Sequence, residues 1–214
     1  MNNTIKLRLP LAAMLALAGC ASLPSSSELD RLALQAHEKS FRDQGIAKVD
    51  RIQQDLAQAA CSSDKPPDEA TAARIMAEAK ASVKWPAGGQ YLGDWREGEK
   101  LAQNGRGMTW TDASTDPARN GGNCYNCHQI SQEEISYGTI GPSLYHYGKN
   151  RGIASLDSPA VQPIFEYTWM KLYNARSFSA CSQMPRVGHM GLLNETQLRH
   201  LMALLLDPKS PVNH

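Results

Sequence analysis

Cys124-Tyr125-Asn126-Cys127-His128 constrains this 214-residue chain more than any other stretch. Two thiols three positions apart, followed at once by an imidazole, is the spacing of c-type haem attachment. The thiols can form thioether bonds to the two vinyl groups of one haem, and His128 is then placed to ligate the iron. The candidate cofactor-binding residues are therefore Cys124, Cys127 and His128. Two other chemistries use Cys-x-x-Cys. A zinc site needs a second pair of ligands at regular spacing, and the remaining cysteines are isolated. A thioredoxin-like pair opens a helix directly after an apolar strand, whereas the polar stretch Ala118-Arg119-Asn120-Gly121-Gly122-Asn123 precedes this motif.

The N-terminus points to export. Lys6 and Arg8 precede an apolar run from Leu9 to Ala18, too short to span a bilayer and of the form of a signal. The run ends in Leu17-Ala18-Gly19-Cys20, the form of a bacterial lipobox, which makes residues 1–20 a signal and Cys20 a lipidation site. Ordinary cleavage within Ala21 to Ser25, with Cys20 lost, is the competing reading. Either route leads across the inner membrane into the periplasm, where c-type haem is attached.

Cysteine usage agrees with that compartment. With Cys124 and Cys127 assigned to haem and Cys20 to lipid or removal, Cys61 and Cys181 remain. Two leftover cysteines in an oxidising compartment suggest a disulfide, against the alternative of two unpaired buried thiols. A bridge closing a loop of about 120 residues contributes on the order of 4–5 kcal/mol in the chain-entropy picture. Charge is uninformative by contrast. The formal value of +1 falls to −1 once Lys6 and Arg8 leave, and acidic and basic residues balance from Gly89 onward. No basic field of the kind nucleic acid requires is present.

Periodicity places helices throughout. Residues 21–27 form a small-residue tether. Leu29, Leu32, Leu34, Ala36, Ile46, Val49, Ile52 and Leu56 recur at helical steps, with Gly45 as a potential break. Asp68 to Val83 reads as a further helix behind Pro66-Pro67, and Pro86 with Gly88-Gly89 ends it. From Gly89 the pattern changes to a capped helix at Asp94 to Ala102, the motif loop, a helix around Pro163 to Ala175, and a last helix from Asn194 to Leu206. The expected organisation is a helical N-terminal extension, 21–88, followed by an all-α domain, 89–214.

The sixth iron position decides chemistry, because a side chain there favours electron transfer and an open site favours ligand chemistry. Met184 is the strongest candidate among eight methionines, since Pro185 biases it to extended backbone in a loop. Met108, Met170, Met190 and Met202 are weaker, and His146 and His189 are fallback ligands. His128 and Met184 are thus the expected metal ligands. A carbonyl of Gly141-Pro142-Ser143-Leu144 can accept the Nδ1–H of His128, although these residues also read as a plain turn. Tyr145, Tyr147, Trp169 and Tyr173 are candidate walls for a macrocycle, and Arg176 and Arg186 candidate propionate partners or a docking rim.

On these residues the chain resembles the SoxX family, the monohaem subunit of SoxAX cytochrome complexes in bacterial sulfur oxidation. The resemblance covers most of the mature chain. Its passages are Gly93 to Glu99, Gly121 to His128, Gly138 to Leu144, Met184-Pro185-Arg186-Val187-Gly188, and the tail Leu206 to Asn213. Val187 departs from it, an aromatic being more usual there. The resemblance implies a class I cytochrome c-like fold and one covalent haem c held by Cys124, Cys127, His128 and Met184. It also implies electron transfer within a heterodimer with a SoxA-type cytochrome. That complex acts as an L-cysteine S-thiosulfotransferase, joining thiosulfate to a cysteine of a SoxYZ-type carrier with release of two electrons. The sulfur-bearing catalytic cysteine is expected on the partner subunit, and a small periplasmic cytochrome c is the expected acceptor. A free-standing electron shuttle and an open-site haem enzyme or sensor are the alternatives.

Overall fold

The computed structural model describes residues 23–214, so the expected signal and the lipidation site Cys20 lie outside the described residues. Among the described residues the regular structure is helical, with one antiparallel bridge between Gln44 and Ala47 and no β-strand. The all-α expectation holds. No described helix is long and apolar enough to cross a membrane.

The described residues divide into two compact units, 23–42 and Asp43–His214. Helix α1, Ser26–Ser40, belongs to the first. Ser25 caps it by accepting from the Glu28 amide, and none of its residues is buried. Leu29, Leu32 and Leu34 are exposed along it.

The second unit contains α2 (Leu56–Cys61), α3 (Glu69–Ala81), α4 (Trp95–Gln103), α5 (Gln162–Tyr173) and α6 (Glu195–Leu206). Local chemistry sets their starts. Asp55, Asp68, Asp94 and Asn194 each accept an amide hydrogen from the first turn, and Asn194 with Gln197 completes a reciprocal capping box. The unit is centred on the crossing of α4 with α6. A Cβ on Gly98 would overlap the His200 carbonyl and crowd the Leu204 Cβ, so only glycine lets the two backbones meet there. Gly93 N–H donates to the Arg199 carbonyl at 2.9 Å, and Asp94 N–H donates to His200 Nδ1 at 2.9 Å. Beneath the crossing, Leu101, Leu198, Leu201, Met202 and Leu204 form a continuous core with Phe165, Trp169 and Leu172 of α5. Met202 is completely buried there as packing, not as a ligand.

The packing boundary falls at Asp43, and not at the expected Gly89. Trp169 Nε1 donates to the Lys84 carbonyl at 2.9 Å, and Asn174 Nδ2 donates to Ser82 Oγ at 3.0 Å. Ala57 and Ile75 bury an apolar contact against Ala180, and a disulfide joins Cys61 to Cys181. Composition changes near Gly89, but the apolar faces of α2 and α3 have their partners beyond it. The helical run read from Leu29 to Leu56, with Gly45 as its potential break, is interrupted more heavily than Gly45 alone suggests. It resolves into α1, a 3₁₀ turn at Val49–Ile52, and α2.

The C-terminal residues close the unit. Asn213 Oδ1 accepts from Gly148 N–H at 2.8 Å while its Nδ2 donates to the Leu205 and Asp207 carbonyls. Ser210 Oγ donates to the Leu204 carbonyl at the end of α6. The Ser-Pro-Val-Asn segment therefore satisfies carbonyls that α6 leaves open at its C-terminus.

Candidate functional site

The end of α4 positions the Cys-x-x-Cys-His segment. Gly122 N–H donates to the Leu101 carbonyl at 2.8 Å, and Asn123 N–H to the Asn104 carbonyl at 3.0 Å. A Cβ on Gly121 would run into the Asn104 carbonyl, and Asn123 adopts the left-handed conformation at φ 50°. The chain then makes one tight turn. Cys127 N–H and His128 N–H both donate to the Cys124 carbonyl, at 3.1 and 2.9 Å.

A second loop runs alongside this turn and fixes it residue by residue. Gly138 N–H donates to the Tyr125 carbonyl, Gly141 N–H to Cys127 and Leu144 N–H to Gln129, at 2.7, 2.7 and 2.8 Å. His128 Nδ1 lies 2.6 Å from the Pro142 carbonyl, which can only accept, so Nδ1 carries the hydrogen and the lone pair of the neutral ring is on Nε2. Gly141 lies against the imidazole face, where any Cβ would overlap the ring. These contacts set both tautomer and orientation.

Met184 is reached through a third segment. Gly188 packs against the Tyr173 ring, where a Cβ would overlap, and His189 N–H donates to the Tyr173 carbonyl at 3.0 Å. Asp55 receives Arg176 at 3.3 Å and Arg186 at 3.1 Å, and the disulfide at Cys181 fixes the same stretch from its other side. Burial works against the Asp55 anion, but the Gln58 amide and the two guanidiniums outweigh it and hold the carboxyl below the ordinary aspartate range. Burial and the neighbouring Arg186 charge lower His189.

Cys124, Cys127, His128 and Met184 all line one cavity of about 470 Å³. That volume is in the usual range for cofactor pockets, ~300–1,000 Å³. Its wall is largely apolar, including Ile130, Leu144, Leu172, Leu193, Leu201 and Leu205. Burial pushes the Cys124 thiol up to about 12, opposite to the low-pKa thiol that a thioredoxin-like pair needs. Cys124 and Cys127 are not bonded to each other. Among the described residues no three His, Cys, Asp or Glu side chains converge as a metal cage, which the zinc reading requires. The donor set is instead two thiols, one imidazole with a free Nε2 and one thioether in an apolar chamber. Those residues fit a flat iron porphyrin held through thioethers.

Other expectations separate here. Among methionines of the described residues, Met184 alone lines the cavity, while Met190 is exposed and Met170 packs on the core. Neither fallback histidine lines it; His146 Nε2 contacts the His214 carbonyl and stacks on Tyr145. Of the four candidate aromatic walls, Tyr147 lines the cavity; Trp169 and Tyr173 are committed to the core. Arg176 and Arg186 face Asp55 and do not line the cavity. The cations that do are Arg151, whose guanidinium lies 3.5 Å over the Tyr147 ring, and Lys171. Sequence reading missed both, although Tyr167, Thr168, Lys171 and Leu172 share one face of α5 at three- and four-residue spacing.

No family model matches the chain. It is 37% identical over 162 residues, 75% of its own length and 73% of the relative's, to an uncharacterized lipoprotein of Aquifex aeolicus (strain VF5). The chain belongs to the family of that lipoprotein.

Proposed function

We propose that this chain is a monohaem c-type cytochrome whose task is electron transfer. The convergence of Cys124, Cys127, His128 and Met184 on one apolar cavity carries the reading. Cys124 and Cys127 would hold the porphyrin covalently, with His128 Nε2 and the Met184 thioether as iron ligands. A haem bound there supplies one-electron chemistry at iron, at a potential raised by a neutral sulfur donor. The chain's own residues do the rest. Pro142 holds His128 in its donor tautomer, Gly141 fixes the ring plane, and the leucines give the chamber an apolar wall. If His128 and Met184 both hold the iron, no place would be left for a substrate there, which disfavours an open-site enzyme.

The resemblance to the SoxX family extends the proposal. The chain would serve as the electron-transfer subunit of a heterodimeric L-cysteine S-thiosulfotransferase, beside a SoxA-type cytochrome bearing the catalytic cysteine. Coupling thiosulfate to a carrier cysteine on a SoxYZ-type protein makes one S–S bond and releases two electrons. This subunit would pass them singly to a small periplasmic cytochrome c. The relative's description as a lipoprotein supports Cys20 as a lipid anchor that tethers the chain at a membrane surface in the periplasm. Two measurements test the proposal. Haem should stay with the polypeptide through denaturing electrophoresis and be lost in Cys124→Ser/Cys127→Ser. Affinity purification from sulfur-oxidising cells should bring a second cytochrome; a haem-free chain overturns the cytochrome reading, and a solitary one overturns the heterodimer.

A further inference from the structure

We propose that α2 splints the loop carrying Met184, and that Asp55 at its head is a positioning residue for that thioether. The inference rests on the reading of Met184 as an iron ligand. Asp55 is the N-cap of α2 and Cys61 is its last residue. Cys61 is bonded to Cys181, three positions before Met184. Asp55 Oδ2 pairs with Arg186, two positions after it, at 3.1 Å. The two ends of one short helix, about 9 Å long at 1.5 Å per residue, thus hold the chain on either side of the thioether.

The splint is stiff in itself. Asp55 Oδ1 accepts from Gln58 N–H at 2.7 Å, and Gln58 Oε1 accepts from Asp55 N–H at 2.8 Å. Ala57 anchors it on Ile75 and Ala180. The Asp55 carboxylate also balances two cations at once. The side chains of Arg176 and Arg186 are only 12% and 15% exposed, so little water is available to take over from the anion. Without it, two guanidiniums share a poorly solvated site and repel. Arg186 would be driven outward, and its carbonyl holds the Met190 amide at 2.9 Å, so the whole turn after Met184 would follow. Met184 has little local support, its amide reaching Ser182 Oγ at 3.3 Å.

Asp55→Asn tests this cleanly, because asparagine caps a helix as well as aspartate while removing the charge. On the haem-loaded protein, the readout is the rate at which added imidazole displaces Met184 from ferric iron under native conditions. Loss of the near-infrared sulfur-to-iron band reports that displacement. Asp55→Asn should react about tenfold faster than wild type, and Asp55→Glu should return to within about twofold. Asp43→Asn, which breaks the exposed pair with Lys48 in the same unit, should match wild type. Arg186→Gln supplies a second variant should Asp55→Asn not fold, with the same direction expected. Wild-type rates in both Asp55→Asn and Arg186→Gln would overturn the splint. A wild-type protein that lacks the band would overturn the Met184 reading itself, and the splint with it.

Discussion

The two sides of the cavity are held by opposite means. His128 is fixed by residues within about sixteen positions of it, through backbone hydrogen bonds from Gly138, Gly141 and Leu144 and the Pro142 carbonyl. Met184 has only a weak local hydrogen bond, and its loop is restrained through Asp55 and Cys61, across sequence separations of 120 and more. A locally built ligand survives insults elsewhere in the chain. A remotely held one depends on contacts that a single charge, thiol or acid titration can remove. In the proposed cytochrome, ligand loss on the Met184 side should therefore precede loss on the His128 side under most perturbations.

Removing the disulfide should show this asymmetry most strongly. Cys61→Ser/Cys181→Ser is expected to lower unfolding free energy by about 2–5 kcal/mol, measured by urea titration. Met184 ligation should be lost in it at lower urea than His128 ligation, and simultaneous loss would break the comparison. Gly141→Ala probes the other side. The new Cβ presses on the imidazole, so a cost of about 1–3 kcal/mol from overpacking is expected. The perturbation should register in the His128 ring resonances and leave imidazole access at the Met184 side unchanged.

Acid sharpens the contrast further. Both Asp55 and His189 have folded values held below their ordinary ones. For each, the unfolded chain binds more protons as pH falls, so stability present at higher pH is lost on acidification. His189 acts first, below the ordinary histidine value, by adding a positive charge beside Arg186 and Arg176. Asp55 follows, below the ordinary aspartate value, by releasing both arginines. Spectral titration should show sulfur ligation lost across these windows before the imidazole is lost, and Asp55→Asn should abolish the lower step. The smallest effect concerns Glu134, whose value is raised by burial while its Oε2 accepts from Ile130 N–H at 3.1 Å. Here the sign reverses, stability falling as pH rises from the ordinary glutamate value through the raised folded one. Glu134→Gln should raise the neutral-pH unfolding midpoint slightly and flatten that slope, in a thermal scan.

The same asymmetry explains what could be read from sequence. The Cys-x-x-Cys-His turn, the carbonyl partner for His128 and the caps at Asp68, Asp94 and Asn194 act over a few residues, so spacing and residue type reveal them. Met184, which lines the cavity, stood out through Pro185, which constrains the backbone locally. Its support was not. Arg176 and Arg186 look like free cations in sequence, because an ion pair to a carboxylate some 120 positions away leaves no periodic trace. Cys61 and Cys181 were pairable only because cysteine counting ignores separation. The packing of α2 and α3 on the later chain was hidden by a composition change at Gly89 that has no counterpart in the core. Arg151 and Lys171 went unnoticed because nothing in an isolated cation says which way it points.

The most direct test is the near-infrared absorption of the oxidised, haem-loaded protein. A weak sulfur-to-iron(III) charge-transfer band is expected in wild type and in Met190→Ala, and should vanish in Met184→Ala. A wild-type spectrum without the band, or its persistence in Met184→Ala, would contradict the claim that this cavity clamps iron between His128 and Met184.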